Sequence, residues 1–150
     1  MHRTRPLTAT HEMYLKVLHQ VAGERGVARV TDLARGLGVS PATVSVGLKR
    51  LEKLNFVEHD RYGYVALTDV GDGVAECVLN RYETIYLLLT QVLGVDAATA
   101  AVDACMMEHA VSPLTVSRMQ SLLERVRSGR VRLSQRGAKG IRQRCREEHS

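Results

Sequence analysis

The chain has 150 residues, 45% of them hydrophobic and 4% aromatic, with no Trp; that is enough for one ordinary domain or two small ones sharing a core, and too apolar for disorder throughout. The formal net charge of +5 is uneven: ten Lys/Arg against seven Asp/Glu over 1–70, four against seven over 71–127, and seven against two over 128–150, a pattern that suits a polyanion partner met by the basic ends. No run of about 18 apolar residues could span a membrane, the start lacks an apolar signal core, and three scattered Cys make no disulfide framework, so a cytoplasmic protein without a membrane partner is expected.

The first predicted element is a helix over 8–22, with apolar positions Met13, Tyr14, Val17, Leu18 and Val21 at helical spacing and Thr8 or Thr10 as cap. "GERG" ends it. A short helix follows over 31–37, with Thr31 as cap and Gly38 as stop. In "SPATVSVGLKRLEKLNF", Ser40 suits the N-cap and Pro41 the first helical position, where its missing N–H costs nothing. Val44, Leu48, Leu51 and Leu54 form the buried stripe of that third helix. The period then changes, and 57–71 reads as two short strands around the turn "DRYG". A long helical pattern occupies 72–93, with Val74, Cys77, Val78, Tyr82, Ile85, Leu88, Leu89 and Val92 on its apolar positions and Cys77 read as core. A helix from about 97, a Ser112-Pro113 helix start and an amphipathic helix to about Val126 complete the pattern. The tail from Ser128 is basic, poor in apolar residues and expected to be mobile.

Helix, turn, Ser-Pro-capped helix and hairpin is the order of a winged helix-turn-helix, whose second helix enters the DNA major groove by its N-terminal part. The exposed positions there are Ser40, Pro41, Ala42, Thr43, Ser45, Val46 and Lys49. Small Pro41 and Ala42 allow close approach, and Ala42 or Thr43 can touch a thymine methyl. Ser40 and Thr43 can bond phosphate, while Lys49, Arg50 and Arg61 of the wing would neutralise backbone charge. No acid precedes Glu52 on the polar face. A three-helix core without a ligand is the alternative reading. The apolar load of 72–93 exceeds what one flank of a small domain covers, which points to a homodimer and to palindromic DNA.

"VDACMMEHAVSP" places Cys105, Glu108 and His109 within five positions. If 97–110 is helical, these three share one face and offer sulfur, oxygen and nitrogen donors to a transition metal. A buried Cys beside a surface Glu-His pair is the other reading. No His-Glu-x-x-His, nucleophile elbow or phosphate loop is present, so an enzyme is not expected.

"HEMYLKVL", "VSPATVSVGLKRLEKLNFVEHDRYGYVALTDVG" and "DACMMEHAVS", in this order and spacing, resemble the diphtheria-toxin-repressor, or iron-dependent-repressor, family over residues 8 to about 127. The resemblance implies a metal-activated, dimeric transcription repressor. Its fold would be mainly α: an N-terminal winged helix-turn-helix (1–70), a helical dimerisation and metal-binding domain (71–127), then the basic tail (128–150). The resemblance also implies that Met13 joins Cys105, Glu108 and His109 as metal ligands. That donor set favours Fe²⁺, with Mn²⁺, Co²⁺, Ni²⁺ and Zn²⁺ as further candidates. The manganese-type branch puts carboxylates where this chain has Met13 and Lys16. A second metal site would fall at Tyr82, Tyr86 and Ala101, none of them a usual ligand, and the chain is too short for the C-terminal SH3-like domain of longer members. A metal-independent or thiol-redox-responsive winged-helix regulator, reading redox through Cys105, is the alternative.

Overall fold

A computed structural model describes residues 7–60 and 62–132. Arg61, Cys145 and most of the basic tail lie outside the described residues. The element order is α1 (Ala9–Ala22), β1 (Val27–Arg29), α2 (Val30–Leu37), α3 (Pro41–Lys53), β2 (Val57–His59), β3 (Tyr64–Leu67), α4 (Asp69–Leu87, continued by a π-helical turn Leu88–Val92), α5 (Ala97–Met107) and α6 (Pro113–Arg127). It is a mainly helical chain, an N-terminal winged helix-turn-helix followed by a helical domain. Among the described residues no helix is long and apolar enough to cross a membrane.

Local chemistry sets most boundaries. Thr8 caps α1 by accepting from the His11 N–H, Ser40 caps α3 by accepting from the Thr43 N–H at 3.2 Å, and Ser112 caps α6 in the same way at Thr115, each satisfying a donor the helix leaves open. Gly38 ends α2 at φ 66°, a left-handed C-cap that glycine adopts without strain. Two starts differ from the sequence expectation. Helix α2 begins at Val30, because β1 runs straight into it and the extended Arg29 is its cap residue, leaving Thr31 exposed inside the first turn. Helix α4 begins at Asp69, because Thr68 accepts from the Gly71 N–H at 3.1 Å while donating to the Asn55 carbonyl at 2.7 Å.

The sheet has three strands, β1-β3-β2, all antiparallel, with Val27 opposite Ala66 and Val57 opposite Leu67. The first core joins Leu15, Leu18, Leu33, Val44, Leu48, Leu51 and Val65 beneath the sheet and extends to Ala75 of α4. Leu54, expected in the buried stripe of α3, keeps 37% of its surface exposed as the residue after the helix. The second core is smaller, built on Ile85, Leu89, Ala100 and Ala104. Gly71, in the first turn of α4, packs against the first core: a Cβ there would fall on the Phe56 carbonyl oxygen. Helix α1 packs along α4, tied by Arg81 to Glu12 at 2.9 Å and by His19 to Asp72 at 2.7 Å.

Candidate metal centre and nucleic-acid interface

The recognition face lies on α3. Pro41, Ala42, Thr43, Val46, Lys49 and Arg50 are exposed around its first three turns, and Ser45 is half-buried. Ser40 Oγ lies 2.8 Å from Thr43 Oγ1, so the cap and the first helical threonine form one small polar group. Ser45 Oγ donates to the Pro41 carbonyl at 3.0 Å, which leaves its lone pairs facing outward as acceptors. Val46 is 72% exposed and Tyr62, in the wing turn, 84%; a free valine on a recognition helix suits contact with a thymine methyl. His11, at the start of α1, is close enough to Arg50 to feel its charge. Burial first, and the Arg50 guanidinium second, hold its pKa below the ordinary imidazole value.

The second constellation forms where α1 meets α4 and the turn after α5. Helix α5 ends at Met107, with Glu108 as its C-cap residue and His109 in the following turn. The three motif residues therefore do not all share a continuous helix, and tertiary pairs position the last two. Glu108 is fully buried. Its two oxygens accept from Lys16 Nζ at 2.8 and 3.1 Å. The same ammonium sits 4.3 Å from the centre of the Tyr82 ring, a cation–π contact. His109 Nδ1 lies 2.8 Å from Glu12 Oε2, and the other Glu12 oxygen accepts from Arg81.

These contacts test whether a metal suits the place. A carboxylate beside Nδ1 assigns the proton to that nitrogen, which leaves a lone pair on Nε2. That Nε2 is buried and has no hydrogen-bond partner among the described residues, although Glu108 Oε1 is 3.2 Å away: the distance is short, but two lone pairs face each other. A cation between them would satisfy both. Met13 and His109 line the same cleft of about 330 Å³, with Tyr14, Leu37 and Val39. Cys105 is half-buried on the last turn of α5. Among the described residues no three His, Cys, Asp or Glu side chains form a ready metal cage. The side chains thus bring together Met13 with His109 and Glu108 with His109, while Cys105 lies three residues before Glu108, on α5. The donor types fit a transition metal, with the orphaned His109 Nε2 as the focus.

The iron dependent repressor N-terminal DNA binding domain profile matches residues 6–65, and the iron dependent repressor metal binding and dimerisation domain profile matches residues 68–129. The chain belongs to the iron-dependent-repressor family. Its members are metal-dependent transcriptional repressors rather than enzymes. An HTH-type transcriptional regulator of Methanocaldococcus jannaschii is 33% identical over 97 residues, covering 65% of this chain and 78% of that protein. The crystal structure of IdeR from T. acidophilum is similar at 26% identity with a TM-score of 0.68, over 80% of this chain and 55% of that one. A manganese-dependent transcriptional repressor in complex with manganese is similar at 29% identity with a TM-score of 0.70, over 76% of this chain and 52% of that one. The chain thus spans about half the length of these two solved relatives.

Sequence reasoning named Met13, Glu108 and His109, whereas Lys16 entered only as a departure from the manganese-type branch, Tyr82 only as an apolar helix position and a non-ligand, and the parts played by Glu12 and Arg81 escaped it. Glu12 and Lys16 are four apart on one helix, which reads as an ordinary solvated pair. Instead each turns to a different partner across the interdomain seam. Cys77, read as core, is exposed. It lines the rim of an apolar groove of about 720 Å³ between α4 and α6.

Proposed function

We propose that this repressor binds palindromic operator DNA as a homodimer in the cytoplasm and responds to a divalent transition metal held by Met13, Cys105, Glu108 and His109. Iron is the favoured metal, because thioether and thiolate donors suit Fe²⁺ and its later neighbours better than Mn²⁺, and Met13 and Lys16 stand where a harder, oxygen-rich site would need carboxylates. Mn²⁺, Co²⁺, Ni²⁺ and Zn²⁺ remain in the proposed range. The observation that carries the reading is His109: its Nδ1 is pinned by Glu12 of α1 while its Nε2 is buried without a partner among the described residues. That is how a metal-ligating imidazole is oriented by an outer carboxylate, and here the carboxylate comes from the DNA-binding domain. Metal bound at Nε2 would draw on Met13 of the same helix, so binding would fix α1, and with it α3, relative to the second domain. Differential affinity for the two arrangements is what lets a ligand shift them. The DNA contacts would come from Ser40, Pro41, Ala42, Thr43, Ser45, Lys49 and Arg50 of α3 with Arg61 of the wing. Exposed Val102 and Met106, four apart on α5, support self-association through the second domain.

Co²⁺ spectroscopy beside an operator-binding assay tests this. Cys105→Ser should abolish the thiolate-to-cobalt charge-transfer band and weaken metal binding. Met13→Ala should keep part of the metal affinity and lose metal-stimulated DNA binding. A Met13→Ala protein with the wild-type metal response would overturn the coupling.

A further inference from the structure

Lys16 is the least expected residue of the site. Its ammonium is almost wholly out of solvent and is bonded to both oxygens of a carboxylate that is wholly so, with the Tyr82 ring as its third wall. Burying two charges is costly unless they meet each other in good geometry, and this pair does. The wider group is also balanced: Lys16 and Glu108, Arg81 and Glu12, two cations for two carboxylates, in one chain of contacts through His109. Lys16 and Glu12 belong to α1, Arg81 and Tyr82 to α4, and Glu108 and His109 to the turn after α5.

We propose that Lys16 is a resident cation of the interdomain site. Its ammonium latches α1 to the turn after α5 through Glu108 when no metal is bound, and an incoming divalent ion must compete with it for that carboxylate. Lys16 is thus a positioning and specificity-setting residue: it keeps the seam closed in the apoprotein and lowers the affinity of the site for metal. The latch stands on the ion pair alone, while the competition rests on the metal reading given above.

The test uses the full chain as wild type, Lys16→Met, Lys16→Arg and the double variant Lys16→Met/Glu108→Gln. In excess chelator, amide exchange over 105–111 is followed by mass spectrometry, with α3 as internal reference. Lys16→Met should accelerate exchange over 105–111 on the order of tenfold with α3 unchanged, and Lys16→Arg should stay near wild type. If Lys16→Met destabilises the whole fold through the stranded Glu108 carboxylate, the double variant, which buries no charge at either position, should show the local acceleration alone. Wild-type exchange over 105–111 in both Met variants would overturn the latch. Co²⁺ titration is the second arm. Lys16→Met should bind Co²⁺ about tenfold or more tightly than wild type, because a neighbouring positive charge is gone; a loss of scaffold would weaken binding instead, so unchanged or weaker affinity overturns the competition. If none of the four proteins binds Co²⁺, the metal reading and the competition fail together, and the exchange arm alone decides the latch.

Discussion

The two cores of this chain are built on opposite terms. The first is dense: helices α1 to α3 and the wing, with Ala75 of α4 at its edge, put Leu15, Leu18, Leu33, Val44, Leu48 and Leu51 completely out of solvent. The second is thinner, with Ile85, Leu89, Ala100 and Ala104 in one cluster and Val78, Val116 and Leu123 buried outside it, while Leu93, Val102, Met106 and Leu114 stay at 60% exposure or more. The first unit's most exposed apolar side chains, Val46 and Tyr62, sit on the recognition helix and the wing turn. Exposed apolar surface therefore means different things in the two halves. In the first it suits a groove of DNA; in the second it is surface that the described residues leave open, which is what a dimerising domain requires.

The comparison breaks first at the cores themselves. Leu48→Ala should cost about 2–5 kcal/mol, the range for truncating a buried leucine in a close-packed site, and that cost should not depend on protein concentration. Met106→Glu should leave the lone chain intact but dissociate the homodimer, so its thermal midpoint should lose the concentration dependence of the wild type. Calorimetry over a hundredfold range of concentration, with sedimentation for the mass, separates the two. A Met106→Glu protein that stays dimeric would remove the α5 face from the interface.

How much of this was legible in the sequence follows the same divide. The first helix, the Ser-Pro starts of α3 and α6 and the hairpin were readable because caps and turns act over three or four residues. Strand β1 was not, since Val27–Arg29 is a strand only through its pairing with Tyr64–Ala66, some 37 positions along the chain. That missed strand also explains why Thr31 failed as a cap. The end of α5 was misjudged for a related reason. Periodicity carried the helix to 110, whereas the Lys16 pair fixes Glu108 and the Glu12 pair fixes His109 from outside. Spacing supplied Cys105, Glu108 and His109 and the family resemblance added Met13, but Lys16, Arg81 and Tyr82 define their surroundings through contacts between residues 66 to 92 positions apart, and spacing within one helix is silent on such contacts.

On the DNA-facing side, the expected split is between position and readout. Thr43→Val should change the preference between operator sequences by about 1–3 kcal/mol if Thr43 reads a base edge. Lys49→Ala should weaken all sequences together and lower the slope of log affinity against log salt by about 0.9 for each phosphate that Lys49 neutralises. Binding titrations at several salt concentrations on two operators test both. A Lys49→Ala protein with altered preference and an unchanged salt slope would move Lys49 from the backbone to the bases.

The smallest expected effect concerns pH and the cap at the start of α1. His11 caps α1 in its neutral form, its Nδ1 accepting from the Thr8 N–H at 3.4 Å. Burial, and then the nearby Arg50 charge, lower its pKa from the ordinary 6.5. The sign follows from linkage: the unfolded chain takes up this proton more readily than the folded one, so the contribution is fully present above pH 6.5 and is lost as pH falls from there through the lowered folded value. The side chain is half-buried at the start of α1, so solvent still screens part of the Arg50 charge and the loss should be smaller than the effects above. Urea unfolding at about pH 8 and about pH 5.5, for wild type and His11→Gln, isolates this proton from those of the other histidines. His11→Gln should flatten part of the pH dependence, and Arg50→Gln a smaller part, since the guanidinium is the lesser cause. If His11→Gln leaves the wild-type slope untouched, the acid sensitivity belongs to other groups and the His11 cap carries none of it.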